Sequence, residues 1–309
     1  MIVTSVTVRV PAKINLQLAV GPLRPDGYHG LVTVFHAIGL FDMVSVAAAE
    51  ADSVAVTGEG AGQVPADGDN LALRAVRALR AVVAAQAGPG VAVTINKRIP
   101  VAAGLAGGSA DAAAALVACN ELWRAGLPVR ELCEIAAGVG SDVAFAVLGG
   151  TAVGRGRGER LTPALMPAAR YHWVLAFADG ALSTPEVYGT LDRLRAADGG
   201  AGKAAEPELS TELMAALRAG DLERLGRSLS NDLQAPAISL FPALRKTLDV
   251  GRESGALGAL VSGSGPTCLF LARDARHATD LAVTLSGAGV CRTVTRASGP
   301  VPGATVIER

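Results

Sequence analysis

The chain has 309 residues, 50% of them hydrophobic and 18% charged, which is enough for roughly two domains of about 150 residues each. It carries 28 basic and 28 acidic residues with no long basic run, so a nucleic-acid partner is not expected. Four widely spaced cysteines without a C-x-x-C pair favour neither a zinc site nor disulfides. We expect them to be small core residues in a reducing compartment.

The N-terminal segment alternates apolar and polar residues and lacks the basic lead and apolar core of a secretion signal. The alanine-rich run at 112–118 is too short and too interrupted to span a bilayer. These features predict a cytoplasmic protein without a membrane partner. The sequence does not indicate an oligomeric state, and we expect a monomer or a weak homodimer.

Periodicity in the first half predicts five strands, over residues 2–10, 31–38, 43–48, 53–58 and 90–96. Pro11 should interrupt pairing of the first strand, and Gly39 should separate the second from the third. Helices are predicted over 71–86, with Asp69 and Asn70 as caps, from the glycine-rich loop to about Arg124, over 132–137, and over 142–148. Ser141 is the predicted cap of the last of these, and Gly149 and Gly150 close it.

The second half shows a similar mixture of elements. Strands are predicted over 151–155, 171–177, 257–262, 267–271, 290–295 and 303–307, and helices over 208–218, 221–230, 241–254 and 275–287. Residues 197–208 are rich in glycine, alanine and charge, which predicts a surface loop. Because strands and helices alternate without a strict repeat, we expect an α+β fold and not a doubly wound sheet.

The stretch from Gly104 to Ser109 is rich in glycine and precedes the alanine-rich helix. Unpaired N–H groups at a helix N-terminus attract anions, so this loop is a candidate phosphate site in a chain with no net charge. It is not a P-loop, because G-x-x-x-x-G-K-[ST] is absent, and it lacks the G-x-S-x-G of hydrolases. Taken alone, it is more typical of a helix packed closely against a strand, with Ser109 as a simple cap.

Four other features are weak when taken singly. Asp142, expected to be ionised at a helix start, is a candidate base for a substrate hydroxyl, and Lys13 a candidate partner. Taken alone, an acid that only complements the helix dipole and a solvated lysine at a strand end are the commoner explanations. Tyr28 and His29 follow a turn and offer a ring and an imidazole, but an amphipathic turn residue is the commoner explanation. The string SGSGPT (262–267) fits an anion-binding turn or a plain hairpin equally well.

The order of these features is more specific than any one of them. PAKINLQLAVG, PVAAGLAGGSADAAAAL and VSGSGPTCLFL cover nearly the whole chain and resemble the three signatures of the GHMP kinase superfamily. Within it, PAKINL, RPDGYHGLVTVF, DNLALRA, INKRIP, GSDVAF and STPEVY are most similar to the branch that acts on a cytidyl alcohol. The resemblance implies an N-terminal α/β domain (1–157), a C-terminal ferredoxin-like domain (158–309) and an active site between them.

The implied reaction is transfer of the ATP γ-phosphoryl group to the 2-hydroxyl of 4-diphosphocytidyl-2-C-methyl-D-erythritol, in the non-mevalonate isoprenoid precursor pathway. Mg²⁺ would be held mainly through ATP, with no protein metal ligand evident. Asp142 would be the base and Lys13 its partner. The implied ATP-binding residues are Asn70, Lys97, Ala103, Gly104, Leu105, Ala106, Gly107, Gly108, Ser109 and Ala110. The implied substrate-binding residues are Asn15, Tyr28, His29, Phe35, Thr184, Tyr188, Gly263, Ser264 and Gly265, with Tyr28, His29 and Tyr188 around the cytosine.

The sequence departs from the family pattern at a few positions. Ala103 and Ala106 replace common glycines, Ala110 replaces the second serine of a pair, and Tyr188 stands where phenylalanine is frequent. Two alternatives stay open at this point. Another GHMP kinase, such as homoserine kinase, would not need the aromatic residues of a cytosine pocket. A catalytically silent homologue that senses a nucleotide or sugar would not need Lys13 and Asp142.

Overall fold

A pair of long antiparallel strands near the N-terminus frames the molecule. The computed structural model describes residues 4–197 and 206–309, so most of the loop predicted at 197–208 lies outside the described residues. β1 (Ser5–Leu23) and β2 (His29–Ala49) pair along nearly their full length. β1 therefore continues well beyond the predicted end at Pro11.

A bulge lies where the sequence predicted strand breaks. Pro11 pairs with Phe41 and Ala12 with Ile38, so two residues of β2 around Gly39 have no counterpart in β1. Proline offers no N–H to the ladder, and the shift in register absorbs that loss. The division into separate strands at 31–38 and 43–48 was therefore wrong, because the break in pattern marks a bulge inside one strand.

The larger sheet has eight strands in the part of the chain that the structure describes. Its main order is β12-β1-β2-β4-β3, while β5 pairs with the other half of β2, β6 with β5, and β8 with β1. The remaining bounds are β3 Ser53–Gly58, β4 Gly90–Lys97, β5 Thr151–Gly156, β6 Arg160–Pro163, β8 Ser230–Asn231 and β12 Thr305–Glu308. Because β12 pairs with β1, the end of the chain returns to the sheet that its beginning forms.

The smaller sheet is antiparallel, in the order β11-β7-β10-β9. Its strands are β7 (Tyr171–Phe177), β9 (Gly258–Val261), β10 (Cys268–Ala272) and β11 (Thr293–Gly299). Helices connect β7 to β9 and β10 to β11. This split βαβ arrangement confirms the ferredoxin-like topology expected for the second half and, with the first sheet, the α+β class.

Ten α-helices cover these sheets within the described residues. They are α1 Leu71–Val82, α2 Gly107–Leu122, α3 Val129–Val139, α4 Val143–Leu148, α5 Thr184–Ala197, α6 Thr211–Ala219, α7 Leu222–Ser228, α8 Gln234–Leu240, α9 Ala243–Glu253 and α10 Ala275–Gly287. α1 confirms the predicted cap, because the Asn70 side chain accepts the Ala72 N–H at 2.9 Å, but it ends four residues earlier than expected. None of the described helices is long and apolar enough to cross a membrane.

Helix α2 carries the glycine-rich loop into the core. Its alanines are buried on nearly every side, and it packs against α1, α4, β1 and β2. Small side chains permit this close approach of helix and sheet, and a helix that is apolar all round is typical of such an enclosed position. The packing fixes where the N-terminus of α2 lies relative to β1 and β2.

Candidate active site

The loop before α2 has an unusual backbone. Ala102, Gly104 and Ala106 all adopt the left-handed region, with φ of 53°, 74° and 57°. Glycine adopts this conformation freely, whereas an alanine there costs on the order of 1–2 kcal/mol. The substitution at Ala106 therefore places a side chain where the backbone favours glycine, while Ala103 lies outside this region. Contacts elsewhere must hold the loop in place.

Those contacts come from the turn between β9 and β10. The Ser262 hydroxyl donates to the Gly104 carbonyl at 3.1 Å, and the Thr267 hydroxyl donates to the Ala103 carbonyl at 2.7 Å. On its other side this SGSGPT turn contacts α5, since the hydroxyls of Ser264 and Thr184 are 2.8 Å apart. The turn thus couples the loop of the larger sheet to the smaller one.

Gly104→Ala should disrupt this junction. A Cβ at this position would lie 2.2 Å from the Ser262 carbonyl oxygen, and the residue needs positive φ. We expect a loss of at least about 1–2 kcal/mol in the free energy of unfolding and a weaker affinity for ATP. Urea unfolding and nucleotide titration measure the two effects. Gly88→Ala is the control, since a Cβ there meets nothing within 4 Å; equal behaviour of the two variants would contradict the argument.

Lys13 and Asp142 meet beside this loop. The Lys13 Nζ lies 3.6 Å from an Asp142 carboxylate oxygen. The same ammonium donates to the Asn15 side-chain oxygen at 2.9 Å and to the Gly104 carbonyl at 3.4 Å. The Asn15 amide in turn donates to the Thr33 hydroxyl at 2.8 Å. The polar network therefore fixes the ammonium between the acid and the loop.

Asp142 occupies the cap position of α4, which corrects the expectation that Ser141 would do so. Its carboxylate makes no capping hydrogen bond to the backbone of α4, so it is available to face Lys13. The side chain is 29% exposed. A carboxylate that does not cap its own helix and lies next to an ammonium can accept a proton from a bound hydroxyl.

Phe35 forms part of the wall beneath Lys13. Its ring stacks on Phe145 at a centroid distance of 4.8 Å, and the Lys13 ammonium lies 5.8 Å from its centroid. A cavity of about 310 Å³ opens above this layer. It brings together most of the predicted residues, with Lys13, Asn15, Phe35, Ala103, Gly104, Ala106, Gly107, Gly108, Ser109, Asp142, Thr184, Tyr188, Gly263 and Ser264 in its lining.

A second cavity of about 550 Å³ adjoins the first and shares Ser109, Asp142, Thr184 and Tyr188 with it. Tyr28 and His29 line the second cavity but not the first, whereas Tyr188 lines both. The Tyr28 ring is exposed, at 55%, whereas burial, helped by the nearby charges of Asp142 and Asp232, raises the pKa of Tyr188 well above its usual range. Tyr188 therefore keeps its hydroxyl proton. Two aromatic side chains line one pocket next to the Lys13–Asp142 pair.

The His29 ring makes more contacts within the protein than the sequence suggested. Its Nδ1 donates to the Gly21 carbonyl at 2.9 Å, and its Nε2 lies 3.4 Å from an Asp192 carboxylate oxygen. The ring centroid is 5.2 Å from that of Tyr188. His29 is buried, and these contacts fix the orientation of its ring against the pocket.

A third cavity of about 270 Å³ lies on the other side of Gly107 and Gly108 and is lined by Asn70 and Lys97. Both side chains already have protein partners. The Asn70 amide caps α1 and also donates to the Pro65 carbonyl at 2.6 Å. Lys97 donates to Asp42 at 2.5 Å and to Asp111 at 2.7 Å.

The triad of Asp42, Lys97 and Asp111 is buried and joins β2, β4 and α2. Asp42 also accepts the backbone N–H groups of Arg98 and Ile99, whereas one Asp111 oxygen has no partner. Burial raises the pKa of Asp111 to about 7, against the attraction of Lys97 and with the repulsion of Asp42. Burial opposes the charge on Lys97 as well, but the two carboxylates outweigh it and raise its pKa.

Three predicted residues lie behind the site. The Leu105 and Ala110 side chains are each 1% exposed and belong to the core. The Ala110 N–H is donated to the Ala106 carbonyl, so it is occupied by α2 itself. A Cβ at Gly265 would lie 3.0 Å from the Val261 side chain and 3.3 Å from that of Leu182, so this glycine is enclosed by the turn and its neighbours.

Two residues that the sequence analysis missed line these cavities. Arg157 borders both the first and the second, and Asp111 borders the third. Arg157 is one of three arginines in GRGRGER, and Asp111 is one of two acids in the alanine-rich helix α2. Neither carries a spacing signal, because its neighbours in the site come from distant strands.

The comparisons with known proteins agree with this geometry. Residues 70–150 match the family model "GHMP kinases N terminal domain", and residues 213–290 match "GHMP kinases C terminal". The chain belongs to the GHMP kinases. The first match covers α1 to Gly150, with the loop and Asp142, and the second ends at Val290 after the SGSGPT turn.

Relatives within the family are more specific. The chain is 54% identical to 4-diphosphocytidyl-2-C-methyl-D-erythritol kinase of Thermobifida fusca, over 98% of this chain and 99% of that one. It is 56% identical to the enzyme of the same name from Mycolicibacterium smegmatis, over 98% and 92% of the two chains. A crystal structure of 4-(cytidine 5'-diphospho)-2C-methyl-D-erythritol kinase superimposes with a TM-score of 0.74 at 34% identity, covering 94% of this chain and 98% of that one.

Proposed function

We propose that this chain is a kinase that transfers the γ-phosphoryl group of ATP to the 2-hydroxyl of 4-diphosphocytidyl-2-C-methyl-D-erythritol. The observation that carries the proposal is the position of the Lys13–Asp142 pair. It lies beside the N-terminus of α2 on one side and opens to the pocket of Tyr28 and Tyr188 on the other. Relatives that are more than half identical over nearly the whole chain bear the name of this enzyme.

ATP is the phosphoryl donor, and the α2 N-terminus suits its phosphates. Gly107 and Gly108 present no side chain, and a Cβ at Gly108 would meet only Leu71, at 3.5 Å. The free N–H groups there favour anions without a basic patch. The cavity of Asn70, Lys97 and Asp111 is next to these glycines and is the proposed place for the adenosine part.

The chemical step needs a base and a cation. Asp142 takes the proton of the 2-hydroxyl while the hydroxyl oxygen forms a bond to the γ-phosphorus. The bond from that phosphorus to the β,γ-bridging oxygen breaks, and ADP leaves. Lys13, fixed by Asn15, faces the charge that develops on the transferred group. Positioning and charge stabilisation supply most of the rate in such transfers.

Mg²⁺ would enter with ATP and be held mainly by phosphate oxygens and water, as this ion usually is. The chain offers an oxygen donor of the kind that Mg²⁺ prefers, since the Ser109 hydroxyl lines this cavity, while the Asp142 carboxylate accepts the substrate proton. Bound there, the ion would neutralise phosphate charge. The triad of Asp42, Lys97 and Asp111 is a less suitable place, because an ammonium lies between its carboxylates.

The cytosine of the substrate would stack between Tyr28 and Tyr188. Tyr28→Ala should raise KM for the cytidyl substrate about tenfold to hundredfold, because stacking a base on an aromatic ring contributes roughly 1–3 kcal/mol. KM for ATP should stay unchanged. Steady-state kinetics with each substrate varied in turn measure both values, and Tyr28→Phe is the control that keeps the ring. A rise in KM for ATP alone would show that Tyr28 contacts ATP and not the cytosine of the substrate.

Product analysis tests the reaction itself. Protein, Mg-ATP and the cytidyl substrate should give a new ³¹P signal of a phosphomonoester, coupled to the carbon that bears the 2-hydroxyl, while the diphosphate signals persist. ADP should form in equal amount. Release of inorganic phosphate without this ester, or a phosphate on another hydroxyl, would refute the proposed function.

A further inference from the structure

Arg157 is a cation in the site to which the mechanism above gives no task. It lies in the hairpin of β5 and β6 and borders both the Lys13–Asp142 cavity and the Tyr28 pocket. Its guanidinium carbon is 5.3 Å from the centroid of the Tyr28 ring. Among residues 4–197 and 206–309, no Asp or Glu forms an ion pair with it.

The hairpin fixes the Arg157 backbone, and among the described residues it supplies no acid to pair with the guanidinium. Glu159 accepts the backbone N–H of Arg157 at 2.6 Å, and Gly158 closes the turn by donating to the Arg155 carbonyl at 3.1 Å. The nearest acid along the chain therefore binds the Arg157 main chain and not its guanidinium. The contact of the guanidinium among the described residues is with the Tyr28 ring, so its charge is available to a ligand in the cavities, where Asp142 is the acid that both share.

The other cations at this end of the site are paired. Lys13 lies against Asp142 and Asn15. Arg24 pairs with Asp26, and Arg195 lies near Asp232 and donates to backbone carbonyls. A bound anion would therefore compete with a protein carboxylate for each of these groups, but not for Arg157.

The proposed substrate brings an anion to this place. With its cytosine at Tyr28 and its 2-hydroxyl at Asp142, the diphosphate that joins the two ends must pass between the two cavities, which is where Arg157 lies. Guanidinium groups bind phosphate oxygens through paired, charge-assisted hydrogen bonds. We propose that Arg157 binds the diphosphate of the cytidyl substrate and so selects nucleoside diphosphate esters over uncharged cytidine compounds. This inference rests on the proposed function.

Arg157→Gln separates this role from base stacking. Its KM for the cytidyl substrate and its inhibition constant for CDP should both rise about tenfold to hundredfold, which is the loss of a charged hydrogen bond. Inhibition by cytidine, which has no phosphate, and KM for ATP should stay within about twofold of wild type. Arg155→Gln, an exposed residue of the same hairpin, is the matched control and should change none of these values. Arg157→Lys, which keeps the charge but not the paired donors, should fall between wild type and Arg157→Gln.

Three results would overturn the assignment. Equal weakening of cytidine and CDP would mean that Arg157 acts only by supporting the Tyr28 ring. A raised KM for ATP with unchanged CDP inhibition would assign the guanidinium to the donor nucleotide. Unchanged constants in Arg157→Gln would show that it binds no substrate group. If wild-type protein itself fails to phosphorylate the cytidyl substrate, the proposed function fails instead, and calorimetric binding of CDP and cytidine to wild type and Arg157→Gln still tests the role of Arg157 without turnover.

Discussion

Asp142→Asn should lower kcat by about 10²- to 10⁴-fold, which is the usual contribution of a positioned general base. The amide has nearly the same shape as the carboxylate but cannot take the proton of the substrate hydroxyl. Binding of ATP should persist, because Asp142 does not line the cavity of Asn70 and Lys97 that would hold the adenosine part. Rapid-quench measurement of the phosphoryl-transfer step, together with nucleotide titration, checks both expectations.

The control for this variant is Asp192→Asn. Asp192 lies near the His29 ring on the far side of the aromatic pocket, so its replacement should change KM for the cytidyl substrate and leave kcat nearly intact. Turnover of Asp142→Asn at the wild-type rate would remove Asp142 as the base. Complete loss of nucleotide binding in that variant would instead indicate a structural role for the carboxylate.

Lys97→Met should lower the free energy of unfolding by about 3–5 kcal/mol, the usual cost of removing one partner from a buried ion pair. Its ammonium is the charge that Asp42 and Asp111 share, and all three side chains are at most 3% exposed. Without it, two carboxylates remain in the core. Urea unfolding followed by tryptophan fluorescence measures the loss, with Trp123 and Trp173 as buried probes.

A second change can restore part of this stability. Asp111→Asn added to Lys97→Met removes the carboxylate that has an unpartnered oxygen, while Asp42 keeps two backbone donors. The double variant should therefore be more stable than Lys97→Met alone. Arg224→Met is the control, because its pair with Glu212 is at the surface and contributes little. If Lys97→Met unfolds like Arg224→Met, the triad does not support the fold.

Much of the fold was predictable because local patterns coincide with its elements. β3, β4 and α10 follow their predicted ranges closely, since alternation or capping marks both ends. The sequence did not predict α5 and α8, α5 because polar Thr190 takes one of its three buried positions and α8 because Pro236 lies within a seven-residue helix. β6 was missed as well, since its four residues are mostly exposed and show no alternation. The predicted domain boundary at 157/158 and the oligomeric state stay predictions.

The site was predictable through its motifs and not through its contacts. Lys13 and Asp142 are 129 positions apart, and only the order of family strings suggested that they meet. Asp42, Asp111 and Arg157 gave no comparable signal. These residues matter because the fold buries them together or places them in one cavity. Pairing between distant strands brings this about, and a single sequence does not display it.

The most direct test of the central claim is a comparison of kcat/KM for three alcohols with Mg-ATP: the cytidyl substrate, homoserine and mevalonate. We expect kcat/KM for the cytidyl substrate to exceed the other two by at least about 10³-fold. Homoserine and mevalonate have no cytosine to bind between Tyr28 and Tyr188 and no diphosphate to bind Arg157. Equal values for the three alcohols, or a preference for homoserine or mevalonate, would contradict the account.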